Sequence, residues 1–549
     1  MKIVALRTNS STEENAVQQF IDKYVSQIQG VVTGFDRLVF RGSLRRLNYG
    51  WWDAKVKSFV STGMEQYLLQ KKILFKDYFQ HVKGLSQRLR DCSVKPFEDQ
   101  GLPIIFERRP SVDKDELARE VAKKRNIGTG LVCAITTAEM CPTFEHRGTH
   151  IVKRERPCGV VYQYQIHPEV GWMYARIQTW FPFNIQVGIN GREWLARQMD
   201  KEGLKYRQQG NCFVWIADYG QAQKLMTRQL EMNWAELLDG LARQLNPNHE
   251  SIFEDYPASY YWMAHQSEWA TDIIFQHADF LKRLMPLLVR HAMLSFTSSD
   301  VMRYFGKRVT QSGDIRSDFN GTLETDFKRR QEGERVKYRM NGNSAKFYDK
   351  AYSALGSVLR GAETTINTVQ DFRAYRAKEG GSEEDLQWRP MRKGIADLHR
   401  RAEVSQKTNE RLLNALASVD DSRSVEELTA HIQKPTNWGE RRQRGLRPWA
   451  EDKELITAVN HGDFLINGLR NRDLQKLLYG TEAESPTERR RRSAAISRKL
   501  RLLRAHGLIQ KVPRTHRYHV TDAGRAIFVA VLTTARTSLH QLNQLSKAA

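Results

Sequence analysis

Between Ser485 and Leu508 this chain spells out a helix with two chemically opposite sides. Ser485-Pro486-Thr487-Glu488 is a start signal: Ser485 or Thr487 can accept from the first free amides, and Pro486 suits a first turn. Ile496, Leu500 and Leu503 follow at i, i+4 and i+7, which makes one apolar stripe. Arg489, Arg490, Arg491, Arg492, Arg498, Lys499, Arg501 and Arg504 point elsewhere, as phosphate-seeking charges would. His506-Gly507 supplies a left-handed stop. Short strands are expected at 508–512 and 517–520, around the basic tip Pro513-Arg514-Thr515-His516 and Arg517. Thr521-Asp522-Ala523-Gly524-Arg525 opens a closing helix, and two further helices precede the basic one from Glu451 onward.

Helix, helix, basic helix, hairpin, helix is the plan of a winged helix, which places one helix in the DNA major groove. Leu502-Leu503-Arg504-Ala505-His506-Gly507-Leu508-Ile509, with Tyr518 and Thr521-x-x-Gly524-Arg525, resembles the winged-helix core of MarR-type transcriptional regulators over about one seventh of the chain. That resemblance implies a groove helix at 489–504 and a minor-groove wing at 514–517 including His516, and it implies a homodimer. MarR proteins are small, whereas here some 440 residues come first. The whole chain also resembles a family of large bacterial proteins that share this tail, which adds no activity.

The charge distribution agrees with a polyanionic partner. The net charge is +23, and 441–525 holds 20 Lys/Arg against 9 Asp/Glu, so this stretch carries nearly half the excess. A hydrophobic content of 40% with 10% aromatics supplies packed cores and excludes a disordered chain. No apolar run is long enough to span a bilayer, and the N-terminus lacks a signal-peptide core; a cytoplasmic protein is expected, without a membrane partner. Five cysteines with no C-x-x-C pair fit a reducing compartment.

The expected fold is α+β and multidomain. An α+β domain is expected at 1–220, with a capped helix at 12–29, a strand at 31–44, helices over 51–100, a strand at 127–137, a hairpin about 167–171 and a strand at 183–189. Residues 221–432 read as mostly helical, with an inserted β unit at 322–368 that turns at Asn341-Gly342. Residues 377–389 and 434–449 read as linkers, and the stretch 433–450 separates the winged-helix domain at 451–549.

Three constellations bear on chemistry. Lys346, Tyr348, Arg360 and Glu363 on neighbouring strands faintly resemble rolling-circle replication initiators; that resemblance implies Tyr348 as a nucleophile and Glu363 as a metal ligand. The plainer reading packs Tyr348 and pairs Asp349 with a lysine. Asp36 on the first strand, with Glu139, Glu145, Asp218 or Asp272, would suit a two-Mg²⁺ nuclease or transposase; the plainer reading pairs it with Arg37 or Arg41. Cys141, His146, His150 and Cys158 offer four soft ligands at a spacing that matches no familiar zinc finger, so buried thiols are expected instead. Trp172, Trp180, Trp194 and Tyr260-Tyr261-Trp262 are candidate stacking platforms. No P-loop occurs.

The expectation is a DNA-binding protein without a firm cofactor, either a regulator or a mobile-element accessory factor. The alternatives are a Mg²⁺-dependent nuclease, transposase or replication initiator, and an RNA-binding protein.

Overall fold

The computed structural model describes residues 16–46, 61–109, 111–307, 315, 319–330, 333–353, 356–377, 386–417, 425–439, 441–460, 464, 468–481, 483–512 and 515–535. Positions 12–15 of the first expected helix, 51–60, and Pro513 and Arg514 of the basic tip lie outside the described residues. The protein is mixed α/β. It divides into a larger unit, 1–289 with 325–413, and a smaller one, 290–324 with 414–549. Among the described residues no helix is long and apolar enough to cross a membrane.

The larger unit is built on one sheet of eleven strands. In chain order its strands are β1 (Ile28–Arg46), β2 (Ile104–Phe106), β3 (Gly130–Arg147), β4 (His150–His167), β5 (Gly171–Gln178) and β6 (Ile185–Asn190). A separate hairpin, β7 (Tyr206–Gln209) and β8 (Cys212–Ile216), follows. The sheet then continues with β9 (Ala258–Phe275), β10 (Leu323–Arg330), β11 (Gly333–Met340), β12 (Asn343–Ser353) and β13 (Gly356–Ile366). The strand order is β10-β11-β12-β13-β9-β1-β6-β5-β4-β3-β2. The strands expected as a separate unit at 322–368 therefore belong to the sheet that contains the first strand.

Helices cover one face along most of its width. Ser61–Gln70 and Tyr78–Asp99 pack on β3–β5, Phe40 meets Trp234 of the helix Trp234–Leu245, and the indole of Trp269 donates to Gln406 of the helix Leu398–Ala417. The other face is covered over β1 and over β3. The helix Tyr219–Thr227 lies over Gly30 and Gly34, where any Cβ would collide with Tyr219 or Met226. The helix Lys114–Lys124, capped by Asp113, packs on Val132, Cys133 and Ile135. β11 and β12 alternate strictly: Val336, Tyr338, Ala345 and Phe347 are buried, whereas Arg335, Lys337, Lys346 and Tyr348 are only half-buried.

Several expectations need correction. The first helix is Ala16–Lys23, and Ile28 already begins β1. The stretch 221–310 is mostly helical, but the long strand β9 crosses it for 18 residues, which was not expected. Both faces of β9 are largely buried, which removes the alternation that marks a strand. The hairpin Arg373–Arg376 with Gln387–Pro390 brackets the first expected linker, and the second contains the hairpin Thr436–Trp438 with Arg441–Gln443.

In the smaller unit the helices Lys453–Val459, Asn471–Tyr479, Pro486–Ala505 and Asp522–Thr534, with the hairpin Ile509–Lys511/Tyr518–Val520, enclose one apolar core. Ile496, Leu500, Leu503 and Leu508 are buried in it, and Ser485 caps the long helix by accepting from the Glu488 amide. Gly507 takes the left-handed stop at φ 69°.

Candidate functional site: a buried ionic cluster and a basic helix

Three adjacent strands, β1, β9 and β13, each slip in register near one point, and the slips aim charged side chains inward. The register of β1 against β9 shifts between Phe35 and Arg37, leaving Asp36 as the extra residue. The register of β13 against β9 shifts between Arg360 and Ala362. β12 is bulged against β13 on either side of Tyr348 and Asp349. Bulges re-aim side chains in this way.

Arg360, fully buried, is the hub. Its Nη2 and Nη1 reach the Asp36 oxygens at 2.9 and 2.7 Å, its Nε and Nη2 reach Asp272 at 2.7 and 3.0 Å, and Nη1 also donates to Glu363 Oε2 at 2.8 Å. Arg192, from the first turn of the helix Gly191–Lys201, reaches Asp272 at 2.9 Å and Asp36 at 3.3 Å. Lys350 Nζ stands 3.7 Å from Asp36 and 3.9 Å from Asp272 and makes no hydrogen bond among the described residues. Asn211, in the β7–β8 turn, donates to Asp36 at 3.3 Å. Lys346 pairs with Glu363 at 2.5 Å, and the Tyr348 hydroxyl donates to Glu363 Oε2 at 3.2 Å.

Tyr348, Glu363 and Asp36, expected from two unrelated schemes, thus share one cluster, together with Asp272. Asp36 pairs with neither Arg37 nor Arg41; its partners come from β12, β13 and the helix Gly191–Lys201. Asp349 pairs with no lysine among the described residues; it accepts from the Glu334 amide and the Tyr352 hydroxyl. The other carboxylates lie elsewhere: Glu139 binds Arg176 and Tyr162, Glu145 binds Arg154, and Asp218 caps the helix Tyr219–Thr227. No role in this cluster was expected for Arg192, Lys350, Glu268 or Asn211. One signal was present: Asp272 is a lone acid in the apolar run Trp269–Phe275, and such a residue needs a buried cation.

Charge compensation governs the titration of these groups. Burial alone would raise the Asp36 and Asp272 pKa values, but the Arg360, Lys350 and Arg192 charges outweigh it; Asp272 is lowered to about 2 and Asp36 lies far below the usual range. Glu363 is also lowered, its burial outweighed by Lys346 and Arg360. Glu268 goes the opposite way, to about 7, because it is half-buried and faces Glu363. Burial pushes the Tyr348 phenol well above its ordinary value, so the hydroxyl stays protonated and is a poor nucleophile as placed.

Oxygens of Asp36, Glu268 and Glu363 lie within 4.8 Å of one another, the spacing of a metal-binding set. However, Arg360 holds both Asp36 oxygens, and Lys346 and Arg360 hold Glu363. A magnesium ion would fit only if Lys346 and Arg360 released them. Cys141 and Cys158 are buried side by side, while His146 bonds Gly148 and His150 lies beside Glu65, so these four do not gather as zinc ligands. Trp172, Trp194 and Trp262 are core residues, which removes them as open stacking platforms.

On the helix Pro486–Ala505, Arg489, Arg490, Arg491, Arg498 and Arg501 are exposed and Lys499 is half-buried. Arg492 is held by Glu488 and the Thr481 carbonyl, and Arg504 lies over the Trp438 ring at 5.0 Å. His516 is exposed and Arg517 is half-buried, while Arg514 lies outside the described residues. Compared with family models, with curated proteins and with solved structures, the chain shows no match.

Proposed function

We propose that 451–535 is a winged helix of the kind found in MarR-type regulators, and that the chain binds duplex DNA through the helix Pro486–Ala505 as a regulator or mobile-element accessory factor. One observation carries this reading. At about 100° per residue, Arg490, Arg491, Arg498 and Arg501 fall within about 100° of arc, opposite Ile496, Leu500 and Leu503, which are buried. Four exposed guanidinium groups on one helical face suit a row of phosphates. Replacing all four by Ala should lower duplex affinity and reduce the salt slope by about 0.9 for each phosphate that is no longer neutralised. An unchanged slope would exclude this helix as the DNA-binding element.

A second reading, phosphodiester cleavage, is favoured by the gathering of Asp36, Glu268 and Glu363. Here a bound polyanion would draw Lys346 and Arg360 away from Glu363 and Asp36 and make room for Mg²⁺, which polarises a phosphoryl oxygen when bound. Mg²⁺-dependent cleavage of duplex, single strand or RNA, lost in Asp36→Asn, would establish it.

A further inference from the structure

The half-covered face of the large sheet carries cations that no acidic side chain pairs with among the described residues. Arg37 on β1 is exposed and makes no ion pair there; it faces the Tyr174 hydroxyl on β5 and the Glu268 carboxylate on β9, both of which favour its charged form. Arg41, two repeats of the pleat further along β1, has no ion-pair partner among the described residues either; burial and the neighbouring Arg176 guanidinium lower its pKa. On β11, Lys337 is likewise unpaired, and burial together with Lys346, Arg339 and Arg335 lowers its pKa. Around Arg41 and Lys337 like charges crowd a partly dry surface and repel one another, and an anion laid across them removes that cost.

An aromatic ring lies in the same band. A methyl group built on Gly188 of β6 would stand 2.1 Å from Cε1 of Tyr174. The Tyr174 ring therefore lies flat over this glycine, with its hydroxyl accepting from Gln186 at 2.7 Å and its outer side half-buried. A ring pinned flat on a sheet can take a planar group on its free side. From β11 to β5 the band crosses seven strands, β11, β12, β13, β9, β1, β6 and β5. At about 4.8 Å between strands that is roughly 29 Å, room for several nucleotides.

We propose that this face binds a single-stranded nucleic acid, with Lys337, Arg37 and Arg41 on its phosphates and Tyr174 stacked on a base. The stacking surface decides between polymers. A duplex keeps its bases inside the stack and offers the Tyr174 ring nothing, whereas an unpaired base fits it. This surface belongs to the larger unit and is independent of the duplex-binding reading of the helix Pro486–Ala505.

The test uses the full chain, a fluorescent 20-mer of thymidine, its uridine counterpart, and a duplex of equal length. The unmodified protein should bind a single-stranded probe with a salt slope that falls by about 0.7 for each phosphate freed by substitution. Combined Lys337→Gln, Arg37→Gln and Arg41→Gln should weaken that binding by on the order of tenfold or more and leave duplex affinity unchanged. The Arg490, Arg491, Arg498 and Arg501 alanine variant should do the reverse. Photocrosslinking of an iodouridine-bearing strand to the unmodified protein should label a peptide containing Tyr174, a readout that needs no variant to fold. No binding of either single strand, an unchanged affinity in the triple variant, a label confined to 486–535, or equal displacement by polyglutamate would each overturn the proposal.

Discussion

Asp272 and Glu268 stand four residues apart on one strand and titrate in opposite directions. Asp272 faces two guanidinium groups and a lysine, so its charged form is stabilised. Glu268 is half-buried and faces Glu363, and its charged form is penalised. The signs follow. A carboxylate lowered from 3.8 to about 2 contributes stability that is present above pH 4 and lost as the pH falls through 2. A carboxyl raised from 4.5 to about 7 contributes stability that is present below pH 4.5 and lost as the pH rises through 7. Glu268→Gln, neutral at every pH, should therefore remove a fall in stability between pH 4.5 and 7 and leave the acid limb intact. Urea denaturation of both proteins across pH 3–8 checks this, because the difference between the two profiles cancels the histidines. A difference profile that is flat from pH 4.5 to 7 would mean that Glu268 ionises normally. Sequence reading could single out Asp36 from its place on the first strand, and Tyr348 and Glu363 from the resemblance to rolling-circle initiators. It could not join them, because the bulges that aim them depend on which strands pair.

At the scale of elements, the long basic helix and β9 show what local sequence can and cannot specify. The helix carries its own boundaries, Ser485 at the start and Gly507 past the end, and an apolar stripe of helical period, so its structure was legible from Ser485 to Leu508. β9 has no such marks. Its C-terminal half, Trp269–Phe275, is buried on both faces, and only the partners β1 and β13 make it a strand. The flat ring of Tyr174 was invisible for the same reason, since Gly188 lies on another strand. The cap has a measurable consequence. The Ser485 hydroxyl accepts from the Glu488 amide at 3.2 Å, and Glu488 in turn holds Arg492. Ser485→Ala should cost about 1 kcal/mol of helix stability. Native-state hydrogen exchange should then show amides in the first turns of the helix Pro486–Ala505 opening more readily by that amount, with β3–β6 unchanged. Equal protection in the two proteins would mean that Arg492 and its partners alone hold the helix start.

For the whole molecule, the decisive quantity is the distance along the chain between strands that lie side by side. Ile28 pairs with Phe275 across 247 residues, and Arg37 pairs with Asn190 on its other side. The centre of the sheet is thus assembled from three remote stretches, and no window of sequence contains two of them. This is why an α+β content was readable while one sheet running from β2 to β10 was not. It also orders folding. Loop closure over such spans must precede the pairing that rewards it, so β1 should become protected late. The helix Pro486–Ala505 packs only on neighbours from 432–532 and should form early. Pulse-labelled hydrogen exchange during refolding separates the two. Amides of Leu500 and Leu503 should be protected before those of Val32, Leu38 and Phe40. Arg360 sharpens this expectation. It is fully buried against Asp36 from the start of the chain and Asp272 from its middle, so the cluster cannot be neutral until β1, β9 and β13 have all met. Protection of β1 as early as that of the long helix would show that its pairing with β9 does not wait for the ionic hub.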